Sequence, residues 1–146
     1  MSIPEIKISY VEPYNPKPVF VNSPLDASEI LKDSCFPDEE ISFRERFVML
    51  ALTRSNKVLG HYLVGIGGLA QVAVDVRNIL QAALKSNANS IILSHNHPSG
   101  NIKPSESDIS LTKLLKEAVK YHNIELHDHI IVTKESYYSF KENDII

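Results

Sequence analysis

The apolar and polar positions of the chain change character near residue 43. From Arg46 to Thr53 nearly every position is apolar, as in a strand buried on both faces. Val58–Ile66 repeats that character after the turn-rich link Arg54-Ser55-Asn56-Lys57. Gly65, Gly67 and Gly68 interrupt the second run and predict a bulge or tight bend. Val76, Ile79, Leu80, Ala83 and Leu84 form the stripe of an amphipathic helix over Asp75–Lys85, and Ser90–Leu93 is a short, buried, β-branched strand. A loop rich in Pro, Ser, Gly and Asn runs from Asn96 to Pro104. A helix over Glu106–His122 follows, with Leu111, Leu114, Leu115, Ala118 and Val119 on one face. Glu125–Val132 and Tyr137–Phe140 are expected as closing strands. Strands and helices alternate, which predicts an α/β or α+β sandwich.

The first forty residues are patterned differently. Short strands are expected near Ile6–Val11 and Val19–Val21, joined by the connector Glu12-Pro13-Tyr14-Asn15-Pro16-Lys17-Pro18. A helix over Asp26–Phe36 has Ser23 or Asp26 available as its cap. Residues 1–42 therefore read as a strand and helix extension packed on a domain that occupies 43–146. A chain of 146 residues fits one such domain.

Composition narrows the setting. A single cysteine, Cys35, excludes an intramolecular disulfide and suits a reducing compartment. It lies between Leu31 and Phe36 on the expected helix and reads as a packing residue. The first residues carry no basic run followed by an apolar stretch, and no segment reaches the ~20 apolar residues of a membrane span. The expected location is the cytoplasm, with no membrane partner. The net charge is −3, with Lys and Arg scattered, which argues mildly against nucleic acid as the main partner.

The segment Ser94-His95-Asn96-His97-Pro98-Ser99-Gly100 carries the candidate chemistry. Two histidines at i and i+2 at a strand end point the same way, so both imidazoles can reach one ion. Alone the pair is weak evidence, because six histidines in 146 positions give such a pair by chance about once in four chains. Pro98 and Gly100 then force a turn, and Ser105-Glu106-Ser107-Asp108 starts a helix that returns a carboxylate toward the strand end. Two imidazoles and one carboxylate leave a tetrahedral ion one open position, as in catalytic zinc sites. Ser105-x-x-Asp108 is equally the pattern of a capping box. His127-Asp128-His129 is a second His-x-His, but no third ligand converges on it, and packing or hydrogen bonding is the expected role. Ser99 reads as a turn hydroxyl.

His95-x-His97, seven residues, Ser105, two residues and Asp108 resemble the JAMM metal motif of the JAB/MPN-type metalloproteases. His-Asn-His-Pro-Ser-Gly followed by Pro104-Ser105-x-x-Asp108 is similar to the RadC family in particular. The likeness runs from about Phe43 to Lys141. It takes in Arg44-Glu45-Arg46-Phe47, Gly67-Gly68-Leu69 before the helix holding Arg77, and Asp128-His129-Ile130-Ile131-Val132.

This resemblance implies a three-layer, cytidine-deaminase-like MPN/JAB domain with a mixed sheet flanked by helices. It implies one zinc ion per chain on His95, His97 and Asp108. It places the motif glutamate on Glu45, which local sequence alone reads as a solvated carboxylate between arginines. Glu45 is then the acid/base, and Ser105 the donor to a tetrahedral oxyanion. The implied activity is hydrolysis of an amide bond in a peptide or isopeptide-linked protein. Second partners that orient the ligands are not identifiable from the sequence.

Two other readings follow from the same family. One is a DNA-repair-associated accessory role, although residues 1–42 show no helix-hairpin-helix pattern. The other is a metal-free interaction scaffold, disfavoured because all five motif residues are present. A zinc base deaminase is excluded, because one cysteine cannot supply its Cys-x-x-Cys pair. Long insertions for gripping a folded protein are absent from the pattern, and Gly68 stands where relatives often carry a hydroxyl that meets substrate.

Overall fold

The computed structural model describes residues 3–5, 10, 17–67 and 72–146. Most of the strand expected near 6–11, most of the proline-rich connector and Gly68 lie outside the described residues.

The elements run α1 (Pro24–Cys35), β1 (Arg46–Leu52), β2 (Val58–Ile66), α2 (Val76–Lys85), β3 (Ser90–Asn96), α3 (Glu106–Lys120), β4 (Glu125–Val132) and β5 (Tyr137–Ser139). The five strands form one mixed sheet in the order β2-β1-β3-β4-β5. β3 and β4 pair in parallel, and the other neighbours are antiparallel. Parallel neighbours need a crossover. α3 supplies it between β3 and β4, and α2 carries the chain from β2 past β1 to β3.

β1 and β3 are apolar on both sides because both faces of the sheet are covered. Phe47, Met49, Ala51, Ile91 and Leu93 pack against Ile79 and Ala83 of α2 and Leu115 and Val119 of α3. Val48, Leu50, Leu52 and Ile92 pack on the opposite face against Ala27, Leu31 and Cys35 of α1. Three helices flanking a mixed sheet make the α/β sandwich that the alternation predicted. Truncating Leu50 or Ile92 to Ala is expected to cost about 2–5 kcal/mol, because neither face can collapse into the gap without moving a helix.

Several boundaries depart from the periodicity, each for a local reason. α1 starts at Pro24, two residues earlier than expected. Ser23 Oγ accepts the Asp26 amide at 3.1 Å, the Asp26 carboxylate accepts the Asn22 amide at 3.0 Å, and Pro24 opens the helix. Val19–Val21 forms only a single bridge, Phe20 to Lys57. A bulge at Val64 precedes Gly65, since Phe47 pairs with Gly65 and Val48 with Leu63. A Cβ on Gly65 would stand 2.9 Å from the Val72 side chain, so glycine lets that segment lie against β2.

β3 extends through Asn96, beyond the expected Leu93. Its last three residues are polar, yet β4 pairs with all three and β1 with Ser94 and His95. Ser94 Oγ donates to the Ile130 carbonyl at 2.7 Å. Polar residues end an apolar run in sequence without ending the strand.

Candidate metal centre

Alternation along β3 sends His95 to the α2/α3 face and Asn96 to the α1 face. His97 follows the last strand residue, and its amide donates to the Val132 carbonyl at 3.1 Å. Gly100, with φ of +82°, closes the turn by donating to the His97 carbonyl at 3.0 Å. α3 then begins with both halves of a capping box. Asp108 N–H donates to Ser105 Oγ at 3.1 Å, and Ser105 N–H donates to Asp108 Oδ2 at 2.8 Å. The capping and ligand readings of Ser105-x-x-Asp108 are therefore compatible. The cap fixes the carboxylate, and the fixed carboxylate faces the histidines.

His95 Nε2 lies 3.0 Å from His97 Nε2 and 3.4 Å from Asp108 Oδ1, and His97 Nε2 lies 3.6 Å from Asp108 Oδ2. All three ligand atoms fall within 4.8 Å of one another. Donors placed tetrahedrally 2.0–2.1 Å from one ion stand about 3.3 Å apart. The observed separations bracket that value, so these residues fit a metal ion by spacing as well as by donor type. His95 and Asp108 are buried and His97 is half-buried, so the cluster meets solvent on the His97 side.

Electrostatics tie the three together. Burial works against the Asp108 charge, but hydrogen bonds from His95, His97 and the Ser105 amide outweigh it and hold the carboxyl far below the usual carboxylate range. The Asp108 carboxylate in turn raises the His97 imidazole, with the Asn101 carbonyl and the Glu45 charge adding to it against desolvation.

Glu45 stands immediately before β1. Phe47, two residues on, pairs with His95 in antiparallel register, and the Glu45 charge acts on the His97 imidazole. Its backbone is held by the Gly67 amide, which donates to the Glu45 carbonyl at 2.8 Å. Arg46 is engaged elsewhere, donating to Glu40 Oε2 at 2.6 and 3.1 Å. Ser105 is exposed at the mouth of α3, and its Oγ lies 2.9 Å from Ser107 Oγ.

Three residues to which the sequence reading gave no part in the site hold this arrangement. Asn96 Nδ2 donates to the Ile41 and Arg44 carbonyls at 2.8 and 2.7 Å, and its Oδ1 accepts the Arg46 amide at 2.7 Å. It thereby clamps the loop that carries Glu45 to the end of the strand that carries His95. His129 Nε2 meets His95 Nδ1 at 2.9 Å, and Thr112 Oγ1 meets His129 Nδ1 at 2.6 Å. His129 lies in the second His-x-His and hydrogen-bonds, as expected for that motif. Nothing in the linear pattern shows that its partner is His95.

A mixed sheet between helices, with a His-x-His and a helix-borne aspartate at one strand end, defines a JAB-type domain. The RadC-like JAB domain model matches residues 21–145, and the chain belongs to that family. It is 38% identical over 121 residues to a UPF0758 protein of Chlorobaculum tepidum, covering 83% of this chain and 53% of the relative. It is 38% identical over 128 residues to a UPF0758 protein of Aquifex aeolicus, covering 88% and 53%. It is 44% identical over 109 residues to one of Actinobacillus pleuropneumoniae, covering 74% and 50%. The chain thus spans about half the length of the curated relatives it matches. Their names state no activity. Among the described residues, no helix is long and apolar enough to cross a membrane.

Proposed function

We propose that this chain is a zinc-dependent amide hydrolase, a metallopeptidase or isopeptidase-like enzyme acting on a peptide or isopeptide-linked protein. The observation that carries the reading is the convergence of two imidazole nitrogens and one carboxylate, with the Glu45 charge acting on His97. His95, His97 and Asp108 hold the ion. Zinc in such a site acidifies a coordinated water and polarises the scissile carbonyl.

Glu45 takes up a proton at its carboxylate and returns it to the departing nitrogen, one group serving as base and then acid. Ser105 donates to the developing oxyanion. Its Oγ accepts the Asp108 amide and, with Ser107 as donor, accepts a second bond, so its own proton is left to point outward. Losing one such donor costs about 2.7–4 kcal/mol of transition-state stabilisation. The JAB family membership supports the hydrolase class.

The test combines metal analysis with screening of peptide and isopeptide libraries. Wild type is expected to hold about one zinc per chain and to cleave a subset of the library. Glu45→Gln is expected to bind zinc equally and lose about 10²–10⁴-fold in turnover. Purified protein that holds no stoichiometric metal and resists zinc reconstitution overturns the reading.

A further inference from the structure

Lys and Arg are scattered along the sequence, yet the fold gathers four of them around one open cavity of about 690 Å³. Arg54 comes from the β1–β2 turn, Lys116 and Lys120 from the last two turns of α3, and Lys141 from the segment after β5. Ser90, the first residue of β3, borders this cavity, and His95 stands near the other end of the same strand. A strand rises about 3.3 Å per residue, so the cavity and the metal centre lie roughly 17 Å apart along β3.

The chain as a whole carries a charge of −3, whereas the lining holds four cationic side chains against one carboxylate side chain, that of Glu125. Among the described residues, none of the four cations makes a hydrogen bond or ion pair through its side chain. Glu125 stands 4.0 Å from His127 Nδ1. Lys116 and Lys120 sit one turn apart on α3, a spacing at which like charges oppose the helix. The helix C-terminus offsets this for Lys120 but does nothing for Lys141 or Arg54, which belong to other segments. The Lys141 charge reaches into the cavity, where it adds to burial in lowering the His127 imidazole. Cations that converge from three parts of the chain without partners repel one another, and an anion between them relieves that repulsion.

Shape and neutral groups narrow the anion. Buried Ile124 and Leu126 and half-buried Ile146 give the cavity an apolar lining. Asn56, Asn89 and Asn123 add carboxamides. Asn89 Oδ1 accepts the Arg54 amide at 2.9 Å, which ties the turn bearing Arg54 to the start of β3 and leaves the Asn89 NH₂ as a donor. Cavities of about 300–1,000 Å³ hold small organic ligands and combine apolar walls with a few polar groups. A nucleic-acid backbone is tracked by a stripe or groove of cations, whereas cations around a concave apolar lining fit a compact ligand. One phosphate carries about −1.5 to −2 at neutral pH, so a single phosphate leaves part of the positive excess unmatched. Lysine meets phosphate as a point charge, and three of the four cations are lysines.

We propose that this cavity binds a small organic polyphosphate, with two or three phosphate groups meeting Lys116, Lys120, Lys141 and Arg54 and a ring lying against Ile124 and Leu126. The site is separate from the metal centre and does not depend on the zinc reading.

Calorimetric titration of the full chain with ATP at low salt tests this, with inorganic triphosphate and adenosine as the two halves of the probe. ATP is expected to bind one site per chain. Inorganic triphosphate is expected to bind about tenfold more weakly, for want of the ring, and adenosine more weakly still. Replacing both Lys116→Gln and Lys120→Gln is expected to weaken ATP about tenfold, and Arg54→Gln about threefold. Glu125→Gln removes the opposing carboxylate and is expected to tighten ATP about twofold, a gain that a merely structural role does not produce. Lys134→Gln makes the same charge change in the link between β4 and β5 and is expected to leave ATP affinity unchanged. Every substituted side chain is exposed, so the variants are expected to fold. Amide NMR is expected to show shifts at Asn89, Asn123 and His127 on adding ATP, with His95 and His97 undisturbed.

No saturable ATP binding overturns the proposal, as does binding that Lys134→Gln weakens as much as the paired α3 substitutions. Shifts centred on His97 and Asp108 overturn it by placing the ligand at the metal centre. Inorganic triphosphate that binds as tightly as ATP overturns the ring-bearing ligand. A DNA duplex that binds more tightly than ATP, with shifts spread beyond the cavity, overturns the small ligand in favour of a nucleic-acid backbone. Wild type that binds ATP as expected but holds no zinc overturns the zinc reading and supports this one.

Discussion

His95-x-His97 and His127-x-His129 are the same three-residue pattern, placed at the end of β3 and within its parallel neighbour β4, and they reach different ends. The first pair converges because regular alternation, then a turn, brings both rings to one point, and α3 delivers a carboxylate there. The second pair is split. Ile91 pairs with Leu126 and Ile92 with Asp128, so His127 is a bulge residue and the alternation is broken beside it. His129 goes inward to His95, while His127 stays half-buried, 4.0 Å from Glu125. Burial lowers the His127 imidazole, with Lys141 adding to the effect. Spacing makes a pair possible, and what the remaining chain brings to it decides its use.

The largest effect is expected where the two pairs differ most. Asp108→Ala deletes the carboxylate that only the first pair has, and bound zinc is expected to fall from about one per chain to background by elemental analysis after gel filtration. His127→Gln is the matched control and is expected to leave zinc content unchanged. A metal content that follows His127 instead would reverse the assignment.

Asn96→Ala comes next. It removes the clamp between β3 and the Glu45 loop, leaving one amide and two carbonyls without partners, at about 2–4 kcal/mol in denaturant unfolding. Ser105→Ala is smaller, about 1 kcal/mol from the lost cap, and it separates capping from catalysis if turnover falls by more than stability explains.

The smallest effect concerns acid. His127 is lowered in the folded state, so below the ordinary value of 6.5 the unfolded chain binds the extra proton first. Its contribution is present above that value and is lost as pH falls toward the folded one. His127→Gln is expected to flatten the acid side of the stability curve from pH 6.5 downward.

Much of the fold was legible because burial on both faces leaves an unmistakable apolar run, as in β1, and amphipathic stripes mark α2 and α3. What failed to show was structure made by polar residues with distant partners. Ser94, His95 and Asn96 look like the end of a strand until β1 and β4 are placed on either side. The clustering of His95, His97 and Asp108 was legible from the His-x-His, the turn and the capping-box aspartate, joined by family likeness. The role proposed for Glu45 comes only from that likeness, since the approach of its charge to His97 is tertiary. Asn96, Thr112 and His129 act through bonds spanning up to 55 positions, and no local spacing encodes those partnerships.

The parallel pairing of β3 and β4 through α3 has a further consequence for how the chain comes to its native state. The His95–His129 bond closes 34 positions and the Asn96–Ile41 bond 55. Such closures cost chain entropy before any contact returns it, and parallel pairs with crossovers form slowly. The donors of the site are therefore completed together with the sheet, after the local helices and hairpin. A partly folded chain offers scattered histidines, and only the finished domain offers a coordination sphere. With the proposed ion bound, mass action would select and stabilise the finished domain, and metal occupancy would become a readout of correct folding.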